Sequence, residues 1–398
     1  MKLSKNAQLC ELSPMRKYHP YADAAEKLGR TVYHLNIGQP DIETPPIFFE
    51  TIGKFSQKVL AYASAPGRPE YVQAVQAYYD NLGIHYDSSD ILVTTGGSEA
   101  LNIAMQCILD PGSEVLVAEP FYPNYNTFIR ATGGDICPIP TSPEEGYRFA
   151  DRSRIEPLIN ENTRAIMVTN PSNPTGIVLT REELRIIADI ARDHDLYIIG
   201  DEVYREYIFD GQEMTSFGQF EDVQQNVILI DSVSKRFSAC GARVGCLISK
   251  NKAFMAEALK FCQARLCVAT LDQVAAASLY TVDDSYFENL RQEYKRRRDT
   301  VLHKLSKIPG VLSSQPDGAF YIVASLPIDD AEKFQVWLLT EFEDNGDTVM
   351  FAPARSFYRT PGKGINEVRI AYVLEQEKLE RAMDLLALGI EAYNNRKQ

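Results

Sequence analysis

The sequence predicts an α/β fold: a large domain with a mainly parallel seven-stranded sheet sandwiched by helices, plus a smaller α+β domain from both chain ends. Seven short apolar runs recur through the middle of the chain, and amphipathic helical stretches separate them. Continuous apolar runs are typical of strands buried on both faces of a parallel sheet. A length of 398 residues is also long for one compact core, which favours two domains.

The predicted strands are the apolar runs themselves, each followed by a turn. They are Ile91 to Thr94, Val115 to Ala118, Ile136 to Ile139, Ala165 to Thr169, Leu196 to Gly200, Val227 to Asp231 and Val244 to Ile248. Among the helices between them, Thr180 and Glu183 have the spacing of a capping box ahead of an apolar face. Ser98 is predicted to cap a helix from Glu99 to Leu109.

The alternation of strands and helices is confined to the middle of the chain. It is absent from about the first 45 residues, and after about residue 285 a long charged helix begins. Strands at 319–323 and 368–372, a helix at 330–342 and a terminal helix are predicted to follow. We therefore expect residues 46–284 to form the large domain, and residues 1–45 with 285–398 to form the small one.

The composition argues against several classes of function. Lys and Arg number 41 against 54 Asp and Glu, a net charge of −13 that disfavours a nucleic-acid partner. The N-terminus lacks the apolar core of a signal peptide, and no stretch is apolar enough to span a membrane, so we expect a cytoplasmic protein. The seven cysteines form no Cys-x-x-Cys pair and no zinc-site spacing with histidine, so we expect free thiols and no metal site.

Polar residues follow four of the predicted strands, at the sheet edge where α/β proteins bind their ligands. Gly96-Gly97-Ser98 opens a helix, whose first amides and positive dipole end suit a phosphate; the alternative is a plain glycine turn. The loop Asn170-Pro171-Ser172-Asn173-Pro174 is stiffened by its prolines and can present the Asn173 amide to a ligand; otherwise it only ends a strand.

The other two strand ends carry opposite charges. Asp201 leaves a buried strand, where a carboxylate requires a cation or a strong donor, so it indicates either a bound cation or a structural ion pair. Lys235 follows the next strand, and burial favours the neutral, nucleophilic form of an amine. The alternative is a lysine whose amine simply extends to solvent.

In this combination and order the motifs resemble those of the fold type I pyridoxal-phosphate enzymes, specifically the class I and II aminotransferases such as aspartate aminotransferase. The resemblance runs from about residue 30 to residue 390. It rests on Leu35-Asn36-Ile37-Gly38-Gln39-Pro40-Asp41, Gly96-Gly97-Ser98-Glu99-Ala100, Asn170 to Gly176, Asp201-Glu202-Val203-Tyr204, Ser232-Val233-Ser234-Lys235 with Arg243, and Val368-Arg369-Ile370.

The resemblance implies that pyridoxal 5'-phosphate is the cofactor. Lys235 would form the Schiff base with its aldehyde, and Asp201 would pair with the pyridinium nitrogen. Asn173 and Tyr204 resemble the family's donors to the ring phenolate oxygen. Tyr122 resembles the aromatic residue that stacks on the ring, the alternative being a tyrosine of the core.

The resemblance also implies how the phosphate would be held. The groups expected around the phosphate lie at two strand ends and belong to Gly97, Ser98, Glu99, Ser232, Ser234 and Arg243. Tyr62 resembles a tyrosine that the neighbouring subunit contributes, which implies a homodimer with shared active sites; a plain surface tyrosine is the alternative.

For the substrate, Arg369 resembles the arginine that binds the α-carboxylate as a fork, with the Gly38 backbone beside it. An interdomain salt bridge is the alternative for Arg369. Ser98 stands where an aspartate-specific subgroup has a lysine for the distal carboxylate. Arg355 stands where small residues are usual, so we hypothesise that it recognises the substrate side chain.

The function implied is transfer of an amino group from an L-amino acid, with aspartate as the first candidate, to a 2-oxo acid, with 2-oxoglutarate expected. The alternatives are an aminotransferase for aromatic or other neutral amino acids and a C–S β-lyase of the same fold. A catalytically silent ligand-sensing protein, such as the effector half of a transcription regulator, is disfavoured. Such a regulator should carry a DNA-binding domain before the core, and only 34 residues precede Leu35.

Overall fold

A computed structural model describes residues 1–396 of the chain. The strands are β1 (Thr31–His34), β2 (Ile91–Thr94), β3 (Glu114–Ala118), β4 (Asp135–Ile139), β5 (Thr163–Thr169), β6 (Tyr197–Asp201), β7 (Val227–Ser232), β8 (Gly245–Ile248), β9 (Leu312–Ser313), β10 (Tyr321–Ser325), β11 (Asp347–Met350), β12 (Ala352–Pro353) and β13 (Glu367–Ala371).

The helices cover both ends of the chain as well as the segments between the strands. They are α1 (Lys5–Leu9), α2 (His19–Lys27), α3 (Ile47–Gly53), α4 (Pro69–Asp80), α5 (Gly96–Ile108), α6 (Asn124–Ala131), α7 (Arg152–Ile155), α8 (Arg181–Asp193), α9 (Val233–Arg236), α10 (Lys252–Arg265), α11 (Thr270–Leu279), α12 (Asp284–Leu305), α13 (Ala331–Thr340) and α14 (Gln376–Asn395). No helix within residues 1–396 has both the length and the apolar character that crossing a membrane requires.

The large sheet has seven strands in the order β2-β8-β7-β6-β5-β3-β4. Strands β7, β6, β5, β3 and β4 pair in parallel, whereas β8 is antiparallel to both of its neighbours. Apolar side chains cover both faces: Ile166 and Ile198 belong to one core cluster, and Met167 and Ile199 belong to the other. The predicted α/β class and all seven predicted strands are confirmed, with ends that differ by at most two residues.

Strands from both ends of the chain form two smaller sheets. One pairs β1 with β11 in parallel, and the other has the antiparallel order β12-β13-β10-β9. The strand predicted at 319–323 begins only at Tyr321, because Ala319 has a φ of +55°, a left-handed conformation incompatible with a strand. A third core cluster joins β10 and β13 to α12 and α14. The domain boundaries at 45/46 and 284/285 stay a prediction.

Two helix starts were predicted, with different outcomes. The capping box at α8 is confirmed, since the Thr180 hydroxyl accepts from the Glu183 amide at 3.2 Å and the Glu183 carboxylate from the Thr180 amide at 2.8 Å. The second prediction, that Ser98 caps a helix from Glu99 to Leu109, was wrong. That helix is α5, which begins at Gly96 with Thr95 as its N-cap residue. The turn of the two glycines is itself helical, and Ser98 lies within the first turn.

Candidate active site

A cleft of about 440 Å³ lies at the carboxyl ends of β5, β6 and β7. Most of the residues that the sequence singled out line it, although they come from distant parts of the chain. The structure brings together Gly38, Gly97, Ser98, Tyr122, Asn173, Asp201, Tyr204, Ser232, Ser234, Lys235, Arg243 and Arg369. Because β5, β6 and β7 are neighbours in the sheet, their polar ends converge on this one space.

Lys235 lies on α9, the short helix that follows β7. Its amine donates a hydrogen bond to the Gly38 carbonyl oxygen at 2.8 Å and lies 3.7 Å from the Cys240 sulfur. Burial lowers the pKa of the Lys235 amine, and the positive charges of Arg369 and Arg243 lower it further. The amine is therefore easier to deprotonate than an ordinary lysine, and a neutral amine can act as a nucleophile or carry a proton.

Asp201 ends β6 and is only 6 % exposed. One carboxylate oxygen accepts a hydrogen bond from the Tyr125 hydroxyl at 2.7 Å, and the other faces the Val203 amide at 3.4 Å. Burial raises the pKa of Asp201 to about 6, although the Tyr125 bond and the charge of Lys235 oppose that rise. Asp201 forms no ion pair with any described residue, so its site favours a cationic ligand.

A chain of polar contacts crosses the cleft from the large sheet to β13. The Arg369 guanidinium donates to the Asn173 side-chain oxygen at 3.0 Å, and the Asn173 amide donates to the Tyr204 hydroxyl at 3.4 Å. The Tyr204 hydroxyl lies 3.0 Å from that of Tyr321. Each side chain fixes the orientation of the next, which holds the cleft in a defined shape.

Arg369 is buried, and its guanidinium is incompletely paired. It donates to the Asn36 carbonyl oxygen at 2.6 Å, while its Nε has no hydrogen-bond partner among the described residues. The guanidinium also lies over the Tyr321 ring, with its central carbon 4.5 Å from the ring centroid. A buried guanidinium that lines the cleft, and that forms no ion pair with any described residue, suits a carboxylate ligand.

The opposite end of the cleft has the features of an anion cradle. Gly96 has a φ of +71°, and a Cβ atom there would lie 2.5 Å from an Arg243 guanidinium nitrogen. That guanidinium lies 3.4 Å from the Ser234 hydroxyl, and Ser232 caps α9 by accepting from the Ser234 amide at 3.1 Å. The first amides of α5, two hydroxyl groups and one guanidinium are the donors that a phosphate group requires.

Tyr122 is half-buried and lines the cleft. Its hydroxyl accepts a hydrogen bond from the Asn124 side-chain amide at 2.7 Å. The Tyr125 ring meets the Tyr122 ring edge-on, with the centroids 5.4 Å apart. The ring of Tyr122 is therefore held in place by both polar and aromatic contacts.

Three residues predicted for the site lie outside the lining of the cleft. Glu99 accepts from the Thr95 amide at 2.6 Å and pairs with Arg265 at 3.1 Å, so it stabilises the start of α5. Arg355, hypothesised to recognise the substrate side chain, is instead paired with Asp330 at 2.8 Å. Its other partner is Glu332, at 3.5 Å. Arg355 is therefore paired with two carboxylates and does not line the cleft.

The third such residue, Tyr62, is 80 % exposed. It lies in a segment without helix or strand, anchored by a hydrogen bond of 2.9 Å from the Thr270 hydroxyl to the Ala61 carbonyl. Tyr62 does not reach the cleft of its own chain.

The cleft residues that sequence reasoning missed include Arg16, Tyr125, Cys240 and Tyr321. Tyr125 had one available signal, since it follows Tyr122 by one helical turn. Tyr321 reads as a core residue of a strand, yet its hydroxyl explains why position 38 is glycine. A Cβ atom on Gly38 would lie 1.8 Å from that hydroxyl oxygen.

Fold and cleft together define an α/β enzyme whose site combines a buried amine, a buried carboxylate and donors for two anionic groups. The family model for class I and II aminotransferases matches residues 30–386. The chain belongs to this family and is a transaminase.

Individual relatives agree with the family match. Aspartate aminotransferase from Pyrococcus horikoshii is 30 % identical over 90 % of this chain and 91 % of that protein. Aromatic-amino-acid aminotransferase 2 from Thermococcus litoralis is 30 % identical over 96 % of this chain and 97 % of that protein. The solved structure of a single mutant of Thermus thermophilus aspartate aminotransferase superimposes with a TM-score of 0.89 at 28 % identity, covering 98 % of this chain and all of that one.

Proposed function

We propose that the enzyme transfers an amino group from an L-amino acid to a 2-oxo acid, with pyridoxal 5'-phosphate held in the cleft. Aspartate and 2-oxoglutarate are the first candidates for donor and acceptor, in keeping with the names of the relatives. An aromatic donor remains the principal alternative, because one relative of similar identity carries that name.

One observation carries this proposal: Lys235 and Asp201 line the same cleft, close enough for the lysine charge to lower the aspartate pKa. The donor set fits the cofactor at three points. Asp201 has no cationic partner among residues 1–396, and a protonated pyridine nitrogen would supply one. The turn at Gly96, with the first amides of α5 and with Arg243, would hold the phosphate. The Arg369 guanidinium lines the cleft without a carboxylate partner among the described residues, and would bind the carboxylate of a substrate.

When bound, pyridoxal phosphate supplies an aldehyde that condenses with amines and a protonated ring that withdraws electrons from the substrate Cα. Lys235 would contribute a neutral amine, whose lowered pKa suits it to take and return a proton. Asp201 would keep the proton on the ring nitrogen, and Asn173 with Tyr204 would donate to the ring oxygen. Arg369 would orient the amino acid through its α-carboxylate, a role for which its planar fork is suited.

We also propose a homodimer in which Tyr62 reaches the cleft of the partner. Tyr62 is accompanied by Val59 and Leu60, which are 73 % and 64 % exposed. Contiguous exposed apolar side chains on an anchored segment are typical of an interface.

Because all seven cysteines are free thiols, a reducing compartment suits the protein, and the cytoplasm is the location we propose.

The experiment is a panel of L-amino acids, each tested with 2-oxoglutarate for formation of the matching oxo acid and of glutamate. We expect transfer with the wild-type enzyme. Lys235→Ala should lose both turnover and the visible absorption of the bound cofactor, because no other amine lines the cleft within residues 1–396. Retention of both would overturn the proposal. Release of pyruvate and ammonia without an oxo acid would instead identify a lyase.

A further inference from the structure

Arg16 lines the mouth of the cleft and has no role in the site as described so far. Its side chain is exposed, and its guanidinium makes no hydrogen bond or ion pair with any residue from 1 to 396. The other two arginines of the cleft are accounted for, since Arg243 belongs to the anion cradle and Arg369 to the carboxylate end. Arg16 is therefore a spare cation facing the same space.

The backbone around Arg16 is held in place, so the position of the guanidinium is not arbitrary. The preceding residue, Met15, is buried against Ala354 and Phe357. Its carbonyl oxygen accepts a hydrogen bond of 3.0 Å from the buried Asn36 amide.

Asn36 connects this segment to the carboxylate end of the cleft. Its own carbonyl oxygen accepts the bond of 2.6 Å from Arg369. One asparagine thus fixes the spacing between the backbone that carries Arg16 and the buried fork of Arg369. A ligand with two anionic groups is what such a pair of guanidinium groups can select.

The charges of the residues that line the cleft also favour a ligand with two anionic groups. Among the lining residues that the structure describes, the cations are Arg16, Lys235, Arg243 and Arg369, whereas Asp201 is the one carboxylate. Burial raises the pKa of the Tyr122 hydroxyl, and the charges of Arg369 and Arg16 both oppose that rise, which places both near the same ring. A phosphate and one α-carboxylate would still leave Arg16 unpaired.

We infer that Arg16 binds the second carboxylate of a dicarboxylic amino acid or 2-oxo acid, and so determines side-chain specificity. The inference rests on the proposed transamination. It gives Arg16 the role that the sequence suggested for Arg355, whose guanidinium is occupied by Asp330 and Glu332. It also supplies a cation for the second carboxylate, although Ser98 stands where an aspartate-specific subgroup has a lysine for that role.

The test compares matched ligands on the holoenzyme. In Arg16→Gln we expect kcat/KM for L-aspartate and L-glutamate to fall about 10- to 100-fold, the effect of losing a charge-assisted hydrogen bond. For L-alanine it should change less than about twofold, since no second carboxylate is present. Calorimetric titration supplies a readout independent of turnover: the Kd of succinate should rise by the same factor, and that of butyrate should not.

Two further variants control for charge and geometry. Lys17→Gln removes a positive charge one residue away, from a side chain that pairs with Glu332 at 2.8 Å. It should leave unchanged both kcat/KM for the dicarboxylic amino acids and the Kd of succinate. Arg16→Lys keeps the charge but loses the fork, so we expect partial recovery.

Equal loss for aspartate and alanine in Arg16→Gln, or no loss for either, would overturn the role of Arg16 and leave transamination intact. A wild-type enzyme that transfers no amino group from any donor would overturn the proposed function itself. A wild-type enzyme that prefers an aromatic donor, with Arg16→Gln unaffected, would also contradict the inference.

Discussion

Replacing Asp201 by Asn should stabilise the protein when no cofactor is bound. The carboxylate is buried and forms no ion pair within the described part of the chain, and burial raises its pKa from 3.8 to about 6. A difference of that size corresponds to roughly 3 kcal/mol of unfavourable free energy in the folded, ionised state. The new amide group must find partners of its own, so we expect a net gain of about 1 to 3 kcal/mol in the free energy of unfolding.

The gain should depend on pH in a defined direction. Above pH 6 the carboxylate is ionised in both the folded and the unfolded chain, so the full penalty is present. As the pH falls from about 6 to 3.8, the folded state takes up a proton before the unfolded state does, and the penalty disappears. The difference between wild type and Asp201→Asn should therefore be largest at pH 7 to 8 and vanish below about pH 4.

The assay is urea unfolding of both proteins, prepared without cofactor, at several pH values. Asp231 on the neighbouring strand provides the contrast, since its carboxylate pairs with the buried Arg236 at 2.8 Å. Asp231→Asn leaves that guanidinium unpaired and should cost about 3 to 5 kcal/mol. An Asp201→Asn protein that is less stable than wild type at pH 8, or whose difference does not change with pH, would refute the reasoning.

Two further substitutions test the two anion-binding ends of the cleft. Gly96→Ala places a methyl group 2.5 Å from Arg243 at a φ of +71°, so cofactor affinity should fall at least about tenfold, measured by fluorescence titration. Gly83 has a φ of +72° with nothing within 4 Å, so Gly83→Ala has the same backbone strain and should keep the affinity; equal losses would contradict the cradle. Arg369→Lys loses the fork, and steady-state kinetics should give a kcat/KM about 100-fold lower for every amino donor. A loss that varied with the donor's side chain would contradict binding of the α-carboxylate.

Much of the fold follows from short-range patterns in the sequence. The seven apolar runs predict the strands because each is buried on both faces, and the Thr180 pattern predicts a cap because both of its hydrogen bonds are local. The start of α5 was misplaced because Gly96, at a positive φ that glycine permits, turns the chain directly from β2 into the helix. The neighbouring residues do not reveal this turn.

The candidate site was predictable where its residues terminate strands, as Asp201 and Lys235 do. Partners that come from elsewhere in the chain were not predictable. Tyr125 lies far from Asp201 in sequence, and only the folded chain brings its hydroxyl to both Thr169 and Asp201. The ion pairs of Arg355 with Asp330 and Glu332 likewise join residues more than 20 positions apart. Arg16 lies in a segment without a periodic pattern, so only the folded structure brings it to the cleft.

The central claim is that the amine at position 235 holds an aromatic aldehyde cofactor against the carboxylate at position 201. Borohydride reduction of the enzyme loaded with pyridoxal phosphate, followed by peptide mass spectrometry, locates the attachment directly. The account predicts a single phosphopyridoxyl group on Lys235. A label on a different lysine, or none despite bound cofactor, would contradict it.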